Sequence, residues 1–154
     1  MEKIIVRKIS FVIPHLGREE MLSKTVASIF NENIKHYEIE VLVVTKNKKL
    51  DSLEYFNDKN IKILHVDPKH TISYQRNLGA KSSSGEYLAF LDADVELSEN
   101  WADELITILE NNEEIKMVAA KQVAKEQAPI VEKIRTVLCN AELDTTVGSL
   151  PGSN

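Results

Sequence analysis

Two carboxylates, Asp92 and Asp94, follow the uncharged run Tyr87-Leu88-Ala89-Phe90-Leu91. If that run is a strand continuing through them, both side chains project to the same side. Like charges held that close repel unless a cation lies between them. A divalent ion, Mn2+ or Mg2+, held by one or two carboxylates and completed by substrate phosphates, is the natural occupant. Asp at a strand end also turns the chain or caps a helix, so the pair alone leaves both readings open. Upstream, Arg76, Asn77 and Gly79 break a local rule. Asn is a weak helix former, and Gly costs about 1 kcal/mol relative to Ala inside a helix. They mark either a site, with Arg76 forked onto phosphate oxygens, or a close helix–sheet contact at Gly79. Pro14-His15-Leu16-Gly17-Arg18 forms a turn whose following helix N-terminus could receive an anion. It lacks the glycines and the Lys-Ser/Thr pair of a phosphate loop, and taken alone it reads as an ordinary strand-to-helix turn. His15, His36, His65 and His70 show no metal-ligand spacing.

The elements that must position these residues alternate between strand and helix. Ile9–Ile13 reads as a buried strand stopped by Pro14. Leu22, Val26, Ile29 and Phe30 recur at helical spacing. Glu40–Val44 is the second strand, closed by Lys46-Asn47-Lys48-Lys49, a solvated loop. Ile61–Val66 is the third. A short helix starts near Thr71 or Ser73, either of which suits its cap. Tyr87–Leu91 is the fourth strand. Ser98 caps a helix with Trp101, Leu105, Ile108 and Leu109 inward, and Ile115–Val123 is a fifth strand candidate. Pro129 opens a last helix bearing Ile130, Ile134, Val137, Leu138, Cys139 and Ala141 on its inner stripe. Strands apolar throughout, separated by amphipathic helices, predict an α/β fold: a mostly parallel sheet with helices on both faces. In such sheets ligands bind beyond the carboxyl ends of the strands. That rule selects Pro14–Arg18, Thr45–Lys48, Asp67–Asn77 and Asp92–Asp94.

Composition narrows the function classes. The 154 residues suit one domain, and 43% apolar residues suffice for a core. With 19 Lys+Arg against 24 Asp+Glu, the net charge of −5 offers no attraction to nucleic-acid phosphate. The single Cys139 excludes an internal disulfide and fits a reducing compartment. There is no bilayer-length apolar run and no signal-peptide pattern at Met1–Lys8. The expected location is the cytoplasm, either free or peripheral to the inner face of the membrane.

Taken together, three blocks resemble the family 2 glycosyltransferases, which have a GT-A fold. They are Ser10-Phe11-Val12-Ile13-Pro14 with Gly17-Arg18-Glu19-Glu20, then Gln75-Arg76-Asn77-Leu78-Gly79, then Gly85 through Asp94 followed by Trp101. A lone Asp-x-Asp is nonspecific; three blocks in order are not. The resemblance covers about residues 9 to 123, a nucleotide-sugar donor-binding core. It implies a nucleotide-diphosphate-sugar donor and a divalent cation held by Asp94, with Asp92 and Ala93 at the donor. Arg76 would lie beside the nucleotide or diphosphate. Pro14, His15, Gly17, Arg18 and Thr45 would line the donor pocket. The acceptor implied is a saccharide or lipid-linked sugar.

Two positions depart from the family pattern. Thr45-Lys46 stands where an acidic pair commonly reads the base, and Leu16 where an aromatic often stacks on it. The base is therefore open, with a uridine donor favoured. Residues 124–154 read as the incomplete start of an acceptor-side region, with Glu142 and Asp144 the only acids near its end. The missing half is expected to leave apolar surface that invites self-association, and little transfer by this chain alone. An inactive or partial nucleotide-binding fragment and a nucleotidyltransferase stay open as alternatives. The latter would want a glycine-rich basic loop where only Gly17-Arg18 stands.

Overall fold

The computed structural model describes residues 7–32, 34 and 36–140. The chain divides into two compact units, Met1–Asn100 and Trp101–Asn154. The first holds β1 (Arg7–His15), α1 (Glu19–Asn31), β2 (Tyr37–Thr45), a 3₁₀ segment (Asp51–Phe56), β3 (Ile61–His65), α2 (Ile72–Ser82) and β4 (Tyr87–Phe90). The second holds α3 (Trp101–Asn111) and α4 (Ile130–Cys139).

All three strand pairings are parallel, in the order β3-β2-β1-β4. The chain therefore steps one way from β1 to β3, then crosses back to β4. Right-handed crossovers place α1 and α2 on opposite faces, as the sequence predicts. Phe11, Ile13, Val41 and Val43 on one face, and Val12 and Leu42 on the other, are fully buried. α1 contributes Leu22, Val26 and Ile29 to this core, and Phe30 stacks on Phe56. On the other face α2 lies so close that a Cβ on Gly79 would sit 2.3 Å from Val12 Cγ1. Gly79 is thus a packing glycine. Thr71, not Ser73, caps α2: its hydroxyl accepts the Tyr74 N–H.

Several boundaries differ from expectation. β1 runs through Pro14 to His15. The odd-numbered residues of β1 bond toward β2, as in Lys46 N–H to His15 O. The even-numbered ones bond toward β4, as in Leu91 N–H to Val12 O. The β4 ladder stops at the Val12–Phe90 pair, one rung short of the place where Pro14 would have to donate. α3 starts after Asn100, whose φ is 61°, and it buries Ala102 and Ile106 rather than Ile108. Ile115–Val123 is not a strand: apolar composition alone makes none without a neighbour to bond. α4 begins after Pro129 as expected, but Ile130, Ile134, Val137 and Leu138 are exposed. Cys139's side chain and Ala141 lie outside the described residues. No helix among the described residues is long and apolar enough to cross a membrane.

At the opposite end of the sheet from the loops of interest, Glu40 is 1% exposed. Burial alone would raise its pKa. Against that, Oε1 accepts from Lys62 Nζ at 2.5 Å and Oε2 from Ser10 Oγ at 2.6 Å. Ser84 adds its backbone N–H at 2.9 Å and its hydroxyl at 3.1 Å. These bonds hold the carboxyl at about 2, down from 4.5. A carboxyl depressed on folding stabilises the native state above its unfolded pKa, and that contribution fades as pH falls from 4.5 toward 2. It amounts to about 3 kcal/mol. We therefore expect the stability gap between wild type and Glu40→Gln, read from urea unfolding, to shrink by about that much as pH drops through this window. A gap independent of pH would show that Glu40 is not held ionised.

Candidate functional site

The order β3-β2-β1-β4 makes the crevice between the carboxyl ends of β1 and β4 the topological switch point, where open α/β sheets take ligands. Two loops meet there: Leu16-Gly17-Arg18 after β1, and Leu91 through Val95 after β4. β4 ends at Phe90. Asp92 to Val95 is a turn closed by Val95 N–H to Asp92 O, 3.3 Å. Asp92 and Asp94 are therefore not aligned by strand pleating; the turn presents them, with Ala93 between.

Each carboxylate meets an arginine. Arg76 Nη2 donates to Asp92 Oδ1 at 2.7 Å, with the two side chains 26% and 30% exposed. Arg76 Nε is buried and makes no hydrogen bond. Arg18 Nη2 lies 3.7 Å from Asp94 Oδ2, a looser pair with 74% and 48% exposure.

Under the loops lies a buried polar floor. His15 and Thr45, register partners at the ends of β1 and β2, join through Nδ1 and Oγ1 at 3.0 Å. Thr45 Oγ1 also accepts the Asn47 N–H at 3.0 Å. His15 Nε2 is buried with no hydrogen-bond partner. Burial holds the imidazole pKa below 6.5, opposed in part by the Arg18 carbonyl and by Glu19. The Arg18 carbonyl acts as an electrostatic neighbour, without the geometry of a formed bond. Gln75, buried on α2, donates Nε2 to both His15 O at 3.2 Å and Val44 O at 2.6 Å. Asn47 grips the β1 loop, accepting from Gly17 N–H at 2.9 Å and donating to Gly17 O at 3.0 Å. Gly17 itself has φ +85°, a conformation that favours glycine. The N–H at His65 Nδ1 caps Asn47 O at 2.9 Å.

The glycosyl transferase family 2 model matches residues 10–143. This chain belongs to that family. An uncharacterized glycosyltransferase of Rickettsia bellii is 30% identical over 140 residues, 88% of this chain and 20% of that protein. The glucosyl-dolichyl phosphate glucuronosyltransferase of Haloferax volcanii is 29% identical over 99 residues, 63% of this chain and 32% of its own. The chain thus spans between a fifth and a third of these relatives' length. The crystal structure of S. aureus TarS 1-349 in complex with UDP-GlcNAc superposes with a TM-score of 0.58 at 21% identity, over 68% of this chain and 31% of that one. The fold is α/β of the GT-A type.

Of the residues singled out in the sequence, Arg18, Arg76, Asp92 and Asp94 come together in pairs. Pro14, His15 and Thr45 form the buried floor. Leu16 is 66% exposed at the crevice. Gln75 and Asn47 lie in the selected segments Asp67–Asn77 and Thr45–Lys48, with no role assigned to either from the sequence. Asn47 sits in a lysine-rich run that reads as solvated, and Gln75 opens the block that contains Arg76. Its place in that block, beside Arg76, is the available signal. The acids Glu142 and Asp144 lie outside the described residues. A surface hollow lined by Asp51, Ser52, Glu54, Tyr55 and Asn57 sits at the 3₁₀ segment and includes none of these residues.

Among the described residues no three His, Cys, Asp or Glu side chains gather to hold a metal. Two carboxylate oxygen donors suit a hard cation whose shell is completed by phosphates, and do not make an all-protein cage. The floor makes its own prediction. Gln75→Leu removes two bonds at the strand ends and should cost about 1–3 kcal/mol. Urea unfolding would show the midpoint falling with unchanged slope; an unchanged midpoint would mean that Gln75 does not tie β1 to β2.

Proposed function

We propose that this chain forms the donor-binding part of a glycosyltransferase that moves a sugar from a nucleotide-diphosphate-sugar to a saccharide or lipid-linked acceptor. The observation that carries the reading is the pair of arginine–aspartate contacts at the switch point, Arg76–Asp92 from α2 and Arg18–Asp94 from the β1 loop. They put cationic forks for a diphosphate and carboxylates for its cation in one crevice. The neighbour solved with UDP-GlcNAc and the relative named for a dolichyl phosphate sugar support a uridine donor and a lipid-linked acceptor.

In the transfer, the bond from the anomeric carbon to the diphosphate oxygen breaks and the electron pair leaves with the diphosphate. The acceptor oxygen bonds to that carbon, and its proton goes to a base. A divalent cation at Asp94 and Asp92 would offset the charge growing on the leaving diphosphate. Arg76, held by Asp92 and half-buried, orients one side of the diphosphate. The Asn47 clamp on Gly17 holds the β1 loop so that its backbone stays in place around the donor. Burial beneath the loops holds the His15 imidazole pKa below 6.5, which favours its uncharged form.

The test is titration calorimetry with UDP in the presence and absence of Mn2+. Asp94→Ala should abolish the Mn2+-dependent part of the affinity and Asp92→Ala should weaken it. Full Mn2+-dependent affinity in Asp94→Ala would remove the metal role. Failure of wild type to bind UDP under any condition would remove the donor site.

A further inference from the structure

The two arginine–aspartate pairs are unequal, and the difference has a functional meaning. Building on the donor-site reading above, we propose that Arg18 occupies the cation's place at Asp94 in the ligand-free chain. It gives up that place when a diphosphate draws the guanidinium away, so cation and diphosphate enter as a coupled pair.

The geometry of the Arg18 contact is that of an exchangeable partner. At 3.7 Å, with 74% and 48% exposure, it is an ion pair without a hydrogen bond. Such pairs are worth up to about 1 kcal/mol, weak enough to yield to a phosphate that accepts two guanidinium bonds. The Arg76–Asp92 contact is the opposite: 2.7 Å, charge-assisted and half-buried. Asp92 is therefore a held carboxylate and Asp94 an exchangeable one. The backbone fits this division. Arg18 directly precedes α1, and the Gly17 before it is clamped at both N–H and C=O by Asn47. The loop is anchored while the long Arg18 side chain is free to swing.

Charge balance points the same way. Two Asp and two Arg sum to zero in the empty crevice. A divalent cation alone would leave an excess of two positive charges and must compete with Arg18 for one carboxylate. A diphosphate alone leaves an anionic excess. Together they return the site close to neutrality, and each frees the group the other needs. By linkage the cation must then raise diphosphate affinity by the same factor as the diphosphate raises cation affinity.

The experiment measures Mn2+ binding through the electron paramagnetic resonance signal of the free ion, first with Mn2+ alone and then with UDP. The proteins are wild type, Arg18→Gln, Asp94→Asn and Lys59→Gln. Lys59, paired with Asp58, removes one surface charge away from the crevice loops. Arg18→Gln should bind Mn2+ alone up to about five-fold more tightly than wild type. UDP should improve its Mn2+ affinity by a smaller factor than in wild type. Lys59→Gln should match wild type and Asp94→Asn should lose the site. If Arg18→Gln binds Mn2+ no better than wild type while Asp94→Asn loses it, the exchange is wrong and the metal reading stands. An equal gain in Lys59→Gln would reduce the effect to net charge and also overturn the exchange. Absence of Mn2+ binding in every protein, with UDP present, would end both.

Discussion

A carboxylate buried to 1% exposure can exist only where its hydrogen bonds are supplied from all sides. Glu40 meets that condition with donors from β1, β3 and the segment joining α2 to β4. Ser10 extends the knot by accepting the Gly85 N–H. Gly85 is there because a Cβ would come within 2.7 Å of the Ser10 backbone nitrogen. One side chain thus sets the spacing of three strands and the entry of the fourth. Removing any one partner leaves an anion short of a bond in a place water does not reach.

The sequence made the architecture legible because the strands are apolar throughout and the helices are not. The parallel sheet, the capped start of α2 and the four charged residues of the crevice all follow from that contrast and from the strand-end rule. Contacts between segments far apart in the chain were not legible. Glu40 read as one more residue opening a strand, since nothing local announces that Lys62 and Ser84 will converge on it. The pairing of Asp92 with Arg76 was hidden for the same reason: sixteen residues separate them. The alignment of Asp92 and Asp94 was misread because pleating was extended past the last bonded rung. Ile115–Val123 was misread because burial on a sheet requires a neighbouring strand, and apolar residues are only half of that requirement.

The crevice combines a stiff frame with mobile charge. Asn47, Gln75 and Thr45 lock backbone groups at the ends of β1 and β2, and His15 joins the Thr45 hydroxyl. The charged groups above them are held to different degrees, tightly at Asp92 and loosely at Asp94. Ligands in such a place meet fixed backbone and adjustable side chains, which limits the reorganisation needed to bind.

Pro14 gives this crevice its opening. Continued by one rung, the β1–β4 register would set Pro14 opposite Asp92, with the Pro14 nitrogen as donor to the Leu91 carbonyl. Proline has no hydrogen to give. The two strands therefore part like the teeth of an open zipper at a stop stitched into the chain itself. Asp92 falls on the free side of that stop, in a turn where its carboxylate can meet Arg76. With a residue that carries an N–H in its place, the ladder could close one step further and draw the acid into the sheet.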